Sequence, residues 1–463
     1  MTRAAREFDA IIVGAGQAGP PLAARLTAAG MSVALIERKL VGGTCVNTGC
    51  MPTKTLIASA RVMHLARRGQ DYGVLADKLR FDMKIAAARA RAVSSNAREA
   101  NEAWLRSMDR LTFLRGHARL AGGSAVAVGD EVLRAPRIFL NVGGRASVPD
   151  IPGITEIPYL DNVDMVALEH VPEHLIVVGG SYVGLEFAQM HRRFGAKVTI
   201  VERADRLVAR EDRDISGAIR LALEGEGIEV RTSAECIALK RDGTGIAVSL
   251  DCVAGPPEVN GSHVLLAVGR RPNTDDLGLE AAGVETDEKG FIRVDDRLRT
   301  SAEGIWALGE CNGLGAFTHT AYNDFEIVAG NLLDGGDRAI AMRVPGYALY
   351  TDPPLGRAGM TEEEARAAGH KLLVAVMPMA RVGRAVENGE TTGLMKLVAD
   401  AKSRRILGAA IFGIGGDEAI HGILDLMSAG QSVDALRWAV PIHPTVSELL
   451  PTLVQELRPD LRA

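Results

Sequence analysis

Two cysteines, Cys45 and Cys50, are the residues whose type and spacing most directly suggest chemistry. Four residues separate them, so the thiols can bridge, and we expect a helix to start there. A helix N-terminus lowers the pKa of a thiol and favours the reactive thiolate. A structural role and zinc remain open from the pair alone, although zinc needs four ligands and no second Cys or His pair lies at suitable spacing. The sequence therefore favours redox chemistry, and we expect no metal site.

Two glycine-rich turns each follow an apolar segment that is typical of a buried strand. The first unit has a strand at 9–13, a helix at 20–29 and a strand at 32–36 that ends at Glu37. The second has strands at 174–178 and 197–201, a helix at 185–194 and Glu202 at the end. The turns contain Gly14, Gly16 and Gly19 in the first unit and Gly179, Gly180 and Gly184 in the second.

The same number of positions separates the first glycine from the glutamate in both units. Glycine lets the backbone approach a pyrophosphate, and the next helix directs unpaired N–H groups at it. The acidic residue then accepts the ribose hydroxyls. Ser181 departs from the pattern because it stands where the middle glycine is expected. The repeat nevertheless predicts two dinucleotide-binding domains in one chain.

The remaining elements predict how these units are arranged. Residues 53–108 are expected to be helical with a break near 69–73, and short strands follow up to Val142. Strands at 264–268 and 304–308 are expected to return toward the first nucleotide site. From about residue 339, strands at 372–377, 394–398 and 406–412 followed by helices indicate a separate α+β domain.

We therefore predict an α/β protein with two Rossmann-like domains and a separate C-terminal α+β domain. Prolines at 149, 152 and 158 indicate the first boundary. The predicted segments are 1–150 and 271–338 for the first nucleotide domain, 151–270 for the second, and 339–463 for the C-terminal α+β domain.

Composition narrows the class of partner. The 463 residues are 47% hydrophobic and 24% charged, with a formal net charge of -5 and no long run of either sign. This balance favours small-molecule partners over nucleic acid or a membrane surface. An apolar strand begins within a few residues of the N-terminus and leaves no room for a signal peptide, so we expect a cytoplasmic protein.

The segment 42–54, which reads GGTCVNTGCMPTK, resembles the disulfide-reductase flavoproteins that include dihydrolipoamide dehydrogenase, glutathione reductase and mercuric reductase. It looks most like the mercuric reductase branch, and the resemblance runs from Asp9 to the C-terminal helix. It implies that the first unit binds FAD and the second binds NADH or NADPH. It also implies a homodimer in which the C-terminal α+β domain, residues 339–463, is the dimerisation domain.

The resemblance assigns roles to the reactive residues. Cys50 is the thiol that touches the flavin, and Cys45 is the thiol that attacks the substrate. His443, oriented by Glu448, is the acid/base group that reaches the cysteines of the other subunit. The remaining assignments are Lys54 beside the flavin and paired with Glu186, and Tyr182 as an aromatic gate over the nicotinamide pocket.

Further cofactor contacts follow from the same resemblance. Residues 269–273 and 300–310 complete the FAD domain, and Glu310 stands where most relatives carry Asp, so we expect it to reach a ribityl hydroxyl. For cofactor choice, Glu202 favours NADH, whereas Arg203 and Arg206 could bind a 2′-phosphate. The other expected cofactor-binding residues are Gly43, Thr44, Gly143 and Gly269.

The substrate is less defined. Mercuric reductases of this branch collect the metal with a C-terminal cysteine pair, yet the last cysteine here is Cys311, and no metal-binding appendage is expected before residue 9. We favour a small disulfide, another oxidised sulfur compound or a thiol-bound metal. The alternatives are a mercuric reductase proper, a dihydrolipoamide dehydrogenase, an NADH oxidase or quinone reductase, and a flavin-binding interaction protein without turnover. Cys236, Cys252 and Cys311 are interpreted as buried small hydrophobic residues.

Overall fold

The computed structural model describes residues 5–460 and divides them into two compact units. The first unit comprises residues 5–56, Lys84–Ser147 and Gly269–Arg343. The second comprises Ile57–Met83, Val148–Val268 and residues 344–460. The finer division into four segments stays a prediction.

Within residues 5–460 the α-helices are distributed over both units. In chain order they are α1 (Gly19–Ala28), α2 (Gly43–Thr48), α3 (Cys50–Arg67), α4 (Met83–Arg106), α5 (Asn162–Ala167), α6 (Tyr182–Phe194), α7 (Arg213–Gly225), α8 (Thr318–Leu333), α9 (Glu362–Ala367), α10 (Gly383–Glu387), α11 (Gly416–Ser428), α12 (Val433–Arg437) and α13 (Leu450–Gln455). Among these residues, no helix combines the length and the apolar character that a membrane span requires.

The strands of the same range form six sheets. In chain order they are β1 (Arg6–Glu7), β2 (Ala10–Val13), β3 (Val33–Glu37), β4 (Leu111–Arg115), β5 (Ala118–Leu120), β6 (Ala125–Val128), β7 (Glu131–Arg134), β8 (Ile138–Leu140), β9 (Gly144–Ala146), β10 (Tyr159–Leu160), β11 (His174–Val178), β12 (Lys197–Val201), β13 (Glu229–Arg231), β14 (Ala234–Asp242), β15 (Gly245–Cys252), β16 (Glu258–Gly261), β17 (His263–Leu266), β18 (Arg270–Pro272), β19 (Ile305–Ala307), β20 (Gly346–Leu349), β21 (Leu355–Gly359), β22 (Leu372–Pro378), β23 (Leu394–Asp400), β24 (Ile406–Phe412) and β25 (Arg458–Pro459).

The first unit is built on a parallel sheet in the order β19-β8-β2-β3-β4. Its strands are apolar on both faces, as a parallel sheet covered on two sides requires. Ala10 and Ile12 of β2 belong to one hydrophobic cluster, and Ile11 and Val13 belong to the cluster on the opposite face. The strand at 304–308 was expected to return to this first site, and β19 confirms it.

The second unit repeats this sheet in the order β10-β17-β11-β12-β13, again parallel throughout. The expectation that 264–268 returns to the first nucleotide site is wrong, because β17 lies beside β11 of the second sheet. An apolar run identifies a strand but does not say which sheet it joins.

The C-terminal part of the second unit is an antiparallel sheet in the order β20-β21-β24-β23-β22-β25. Its buried face packs with residues of α11, α12 and α13 into one hydrophobic cluster. Strands followed by helices were predicted here, and the structure has them. The helical stretch predicted for 53–108 is present as α3 and α4, but the break between them is longer than predicted, since it covers 68–82 and contains a short 3₁₀ turn at Gly69–Tyr72.

The interpretation of the three remaining cysteines is only partly right. Cys311 is fully buried, whereas Cys236 and Cys252 are partly exposed. Both lie on the hairpin of β14 and β15, in which Ala234 pairs with Cys252 and Cys236 pairs with Leu250. A small antiparallel hairpin leaves part of its side chains accessible, and spacing in the sequence does not show that.

Candidate active site

The first glycine turn is shaped for close approach of a ligand to the backbone. Gly14 has a φ of +103°, and a Cβ there would lie 2.2 Å from the Asn141 carbonyl oxygen. A Cβ on Gly19 would lie 2.3 Å from the carbonyl oxygen of Gly14. Only glycine allows this turn to pack so tightly at the start of α1. Helix α1 has no capping side chain at Ala18, and the Asn141 side chain accepts the amide of Gly19, its first residue, at 3.1 Å.

Glu37 and Glu202 hold their respective turns in the same way. One carboxylate oxygen of Glu37 accepts a hydrogen bond from the Ala15 amide at 2.8 Å. The other accepts one from the Lys39 amide at 2.7 Å. Glu202 accepts hydrogen bonds from the Gly180 amide at 2.6 Å and from the Ala204 amide at 2.7 Å. Each carboxylate oxygen keeps a second lone pair for a ribose hydroxyl. The repeated unit is thus repeated in its hydrogen bonds as well as in its sequence.

The second turn tolerates the missing glycine. Ser181 is the N-cap of α6 with φ of -114° and ψ of -173°, an extended conformation that any residue adopts. Glycine is required at Gly179, where φ is +117° and a Cβ would lie 2.4 Å from the Ala267 carbonyl oxygen. It is also required at Gly184, where a Cβ would lie 2.1 Å from the Gly179 carbonyl oxygen. The departure at Ser181 therefore leaves the turn intact.

The cysteine segment is attached directly to the first turn. The Gly42 amide donates to the Ala15 carbonyl oxygen at 2.8 Å, and the Gln17 side chain donates to the Gly42 carbonyl oxygen at 2.8 Å. Gly43 has a φ of +61°, and a Cβ there would lie 3.1 Å from Gly16 Cα. The segment that carries the thiols is therefore held against the loop predicted to bind FAD.

The two thiols have opposite electrostatic settings. Cys50 starts α3 and is exposed, and its pKa is lowered to about 6 by the hydrogen bond from Cys45, then by Thr318 and by the charge of Lys54. The pKa of Cys45 is raised well above its usual range by the same hydrogen bond and by burial. When the pair is reduced, Cys50 is the thiolate and Cys45 is the protonated thiol.

Thr318 was not predicted from the sequence. Its hydroxyl oxygen lies 3.5 Å from the Cys50 sulfur, and it is the first residue of α8. A threonine that begins a helix is ordinarily a local capping residue. Its contact with a cysteine 268 positions away follows only from the fold.

Glu310 is held by Arg270 in the same unit. The Arg270 guanidinium donates to both carboxylate oxygens, in one case at 2.9 Å, and it also donates to the Gly144 carbonyl oxygen at 2.8 Å. A Cβ on Gly144 would lie 2.8 Å from a Glu310 oxygen, so this glycine makes room for the longer carboxylate. Contact of Glu310 with a ribityl hydroxyl stays a prediction.

Three other residues predicted for cofactor binding lie in the same unit. Gly143 has a φ of +64° and Gly269 a φ of +132°, and a Cβ at either would meet open space. Their positive φ, rather than crowding, favours glycine there. Thr44 is exposed on α2.

The predicted nicotinamide residues lie in the second unit. Tyr182 begins α6, and its ring packs edge-on against Tyr347 with ring centroids 5.4 Å apart. The Tyr347 hydroxyl donates to Glu211. Glu186 is buried and accepts the Tyr350 amide at 3.0 Å. The pairing of Glu186 with Lys54 stays a prediction.

Arg203 and Arg206 follow Glu202 in the sequence, but their side chains differ in exposure to solvent. Arg203 is 79% exposed, with Glu235 3.6 Å away. Arg206 is 18% exposed and donates to the Ala209 carbonyl oxygen at 2.9 Å. Arg203 is therefore the more available of the two for a ligand phosphate.

His443 and Glu448 form the expected pair. Nδ1 of His443 lies 2.7 Å from a carboxylate oxygen of Glu448, whose side chain is 13% exposed. The His443 ring is 80% exposed and follows an apolar segment, 438–442, in which Trp438, Val440 and Ile442 are all exposed. A partly buried carboxylate thus orients an exposed imidazole, as an acid/base group that serves another molecule requires.

Two family models match most of the chain. The description pyridine nucleotide-disulphide oxidoreductase matches residues 8–324, and the dimerisation domain of the same proteins matches residues 345–454. The chain belongs to this family.

Relatives and solved structures agree with this assignment. The chain is 36% identical over 453 residues to the probable pyridine nucleotide-disulfide oxidoreductase RclA of Escherichia coli (strain K12), covering 96% of this chain and 98% of that protein. It is 32% identical to a mercuric reductase of Streptomyces lividans, covering 100% and 98%. It is 34% identical to a dihydrolipoyl dehydrogenase of Thermus scotoductus, covering 96% of each. The solved HOCl-induced flavoprotein disulfide reductase RclA from Escherichia coli matches with a TM-score of 0.88 at 35% identity, covering 96% and 99%.

This oxidoreductase therefore has the predicted fold class, and the predicted reaction class and cofactors are confirmed: it is a flavoprotein disulfide oxidoreductase that uses FAD and NAD(P)H. The two glycine turns fit these groups, because each places close-packed backbone and a carboxylate where a dinucleotide binds. The dimerisation-domain match supports a homodimer.

Proposed function

We propose that the Cys45–Cys50 pair transfers two electrons from NAD(P)H to a small disulfide, another oxidised sulfur compound or a thiol-bound metal. The attachment of the thiol-bearing segment to the first glycine turn carries this proposal, and the opposite directions of the two pKa shifts support it. A thiolate at Cys50 is suited to close the disulfide, and a protonated Cys45 needs a base before it can attack a substrate. When bound, FAD supplies the two-electron relay by which NAD(P)H restores the dithiol.

The proposed reaction of the dithiol with a substrate disulfide has two steps. The partner subunit's His443 takes the Cys45 proton, and the Cys45 thiolate attacks one substrate sulfur, forming a mixed disulfide as the substrate S–S bond breaks. The departing thiolate receives the proton from the imidazolium. The Cys50 thiolate then attacks the Cys45 sulfur, forms the internal disulfide and releases the second substrate thiolate. The pair loses two electrons, and the substrate gains two.

The raised pKa of Cys45 explains why an oriented histidine is part of this proposal. Without a base, little Cys45 is deprotonated near neutral pH, so attack is slow. The Glu448 carboxylate stabilises the imidazolium while His443 holds the proton. The exposed segment 438–442 beside this histidine is proposed to form part of the dimer surface.

The two nucleotides are assigned to the two turns by the same proposal. Residues 1–150 and 271–338 hold FAD, residues 151–270 hold the nicotinamide cofactor, and residues 339–463 form the dimer. NADH is favoured because the Glu202 carboxylate accepts ribose hydroxyls and repels a 2′-phosphate.

The test is NAD(P)H consumption by the FAD-loaded enzyme with a panel of electron acceptors. The panel contains small disulfides, lipoamide, thiol-bound Hg(II) and a quinone, each assayed with wild type and with the Cys45→Ser/Cys50→Ser variant. We expect the variant to lose reduction of the disulfides and to keep reduction of the quinone, which needs no thiol. Disulfide reduction that survives in the variant would refute the proposal. Wild type that reduces only the quinone would establish the oxidase or quinone reductase alternative.

A further inference from the structure

Two histidines of the second unit meet outside the redox machinery. Nε2 of His170 lies 3.1 Å from Nε2 of His263, with ring centroids 5.1 Å apart and ring planes at 50°. The nitrogen edges of the rings converge, rather than their faces. His170 is exposed and His263 is partly exposed, so an ion from solvent can reach both nitrogens.

The tautomer of His263 follows from its hydrogen bonds. The Ser262 hydroxyl donates to the His174 carbonyl oxygen at 3.0 Å and accepts the His174 amide at 3.0 Å. Its proton is therefore in use, and it accepts from Nδ1–H of His263 at 2.9 Å. Nε2 of His263 then carries the lone pair that faces His170. A ring N–H bound to a fixed oxygen, with the other nitrogen open, is the arrangement of a metal-ligating histidine.

The separation of the two nitrogens suits a shared metal ion. Nitrogens that are each about 2.0–2.1 Å from one ion lie roughly 2.8–3.4 Å apart at tetrahedral or square-planar angles. The observed 3.1 Å falls within this range. We propose that His170 and His263 chelate one late first-row divalent cation, such as Ni²⁺, Cu²⁺ or Zn²⁺.

The neighbouring side chains determine how many protein ligands the ion has and which ions the site selects. Within residues 5–460, no group of three His, Cys, Asp or Glu side chains is arranged to hold a metal, so the proposed site has two protein ligands and leaves its other coordination positions to water. Imidazole nitrogen selects these ions over Mg²⁺ and Ca²⁺, which prefer oxygen.

The site is separate from the predicted nicotinamide site. His263 is the first residue of β17 and pairs with Leu175 near the start of β11. The turn at Gly179 follows the opposite, carboxyl end of β11, where nucleotides bind in parallel sheets. The length of β11, five residues at about 3.3 Å per residue, therefore separates the histidine pair from the glycine turn. The proposal is therefore independent of the proposed substrate and nucleotide assignments.

The test is calorimetric titration of Ni²⁺ into FAD-loaded holoenzyme whose Cys45–Cys50 pair is oxidised, so that no thiolate of the pair competes. We expect saturable binding of one Ni²⁺ per chain. His170→Ala and His263→Ala should each weaken it at least tenfold because chelation is lost, and Ser262→Ala should weaken it roughly tenfold. His421→Ala, which removes an exposed histidine of α11, is the matched control and should leave it unchanged.

A second measurement identifies the ligands directly. Substoichiometric Cu²⁺ added to the Cys45→Ser/Cys50→Ser holoenzyme should give an electron paramagnetic resonance spectrum with coupling to two imidazole nitrogens. His170→Ala should reduce the coupling to one nitrogen, while far-UV circular dichroism and FAD content stay unchanged. The proposal is overturned if wild type shows no saturable Ni²⁺ binding, or if His170→Ala and His421→Ala bind Ni²⁺ as tightly as wild type.

Discussion

Replacing Thr318 by valine should raise the pKa of the Cys50 thiol. The Thr318 hydroxyl oxygen lies 3.5 Å from the Cys50 sulfur, and this hydrogen bond is one of the causes that lower the pKa to about 6. Valine has nearly the same shape but cannot donate to a thiolate. A hydrogen bond to a charged group contributes roughly 1.5–3 kcal/mol, and one pKa unit corresponds to about 1.4 kcal/mol.

The expected shift lies at the lower end of that range. Cys50 is exposed, so solvent screens and partly replaces the lost hydrogen bond. We therefore expect the pKa to rise by about one unit, to about 7. At pH 7 the thiolate fraction would fall from about 90% to about half.

Peptide-resolved alkylation measures this shift. In a Cys45→Ser background, the serine hydroxyl can still donate the hydrogen bond, and Cys50 is the remaining thiol of the pair. The rate of iodoacetamide labelling at Cys50 against pH gives the midpoint, and the long-wavelength absorbance of a thiolate beside flavin gives it independently in the FAD-loaded enzyme. Thr318→Ser keeps the hydroxyl and should leave the midpoint near 6. An unchanged midpoint in Thr318→Val, or an equal shift in Thr318→Ser, would refute the reasoning.

Three further predictions concern the dimer, the cofactor and a buried charge. Cys45→Ser and His443→Ala homodimers should be nearly inactive, but random co-refolding of equal amounts should restore about a quarter of the sites, and activity that stays absent in proven heterodimers would contradict a shared site. Arg203→Ala should leave kcat/KM for NADH unchanged, because the Glu202 carboxylate binds the ribose hydroxyls. If wild type instead has a higher kcat/KM for NADPH than for NADH, and Arg203→Ala selectively loses the NADPH activity, the enzyme prefers NADPH. Lys396 is buried, with acidic oxygens at 2.7 and 3.0 Å, so Lys396→Met should lower the free energy of unfolding by roughly 3–5 kcal/mol in denaturant titration, whereas Lys396→Arg should lose less.

Local patterns predicted many of the strands and both glycine-rich turns. The bounds of β11, β12 and β24 agree with the predicted ranges residue for residue. Each is a short, buried apolar run that ends at a clear change of composition, so its bounds can be predicted from the local sequence alone. The positions of Glu37 and Glu202 were predicted for the same reason, since the spacing from turn to carboxylate depends on one helix and two strands.

Features that depend on distant parts of the chain were not predicted. The strand β17 has the composition of a buried strand, but its sheet depends on the path of the chain between β12 and β17. Thr318 contacts Cys50 because α8 starts beside the cysteine segment, and no spacing rule links the two residues. Asn141 is a third example, since its side chain accepts the Gly19 amide at 3.1 Å and donates to the Leu308 carbonyl oxygen at 3.0 Å.

The two turns also show how one folding unit serves two tasks. Aligning GAGQAG of the first turn with GGSYVG of the second places Gln17 and Tyr182 at the same position, directly before the close-packed part of the helix. In the first unit the Gln17 amide donates to the Gly42 carbonyl oxygen and holds the thiol-bearing segment against the turn. In the second, Tyr182 places an aromatic ring against Tyr347. Because the glycines and the glutamate already define the turn, this position is free to differ, and its side chain sets what packs beside each turn: the thiol-bearing segment in one unit and a second aromatic ring in the other.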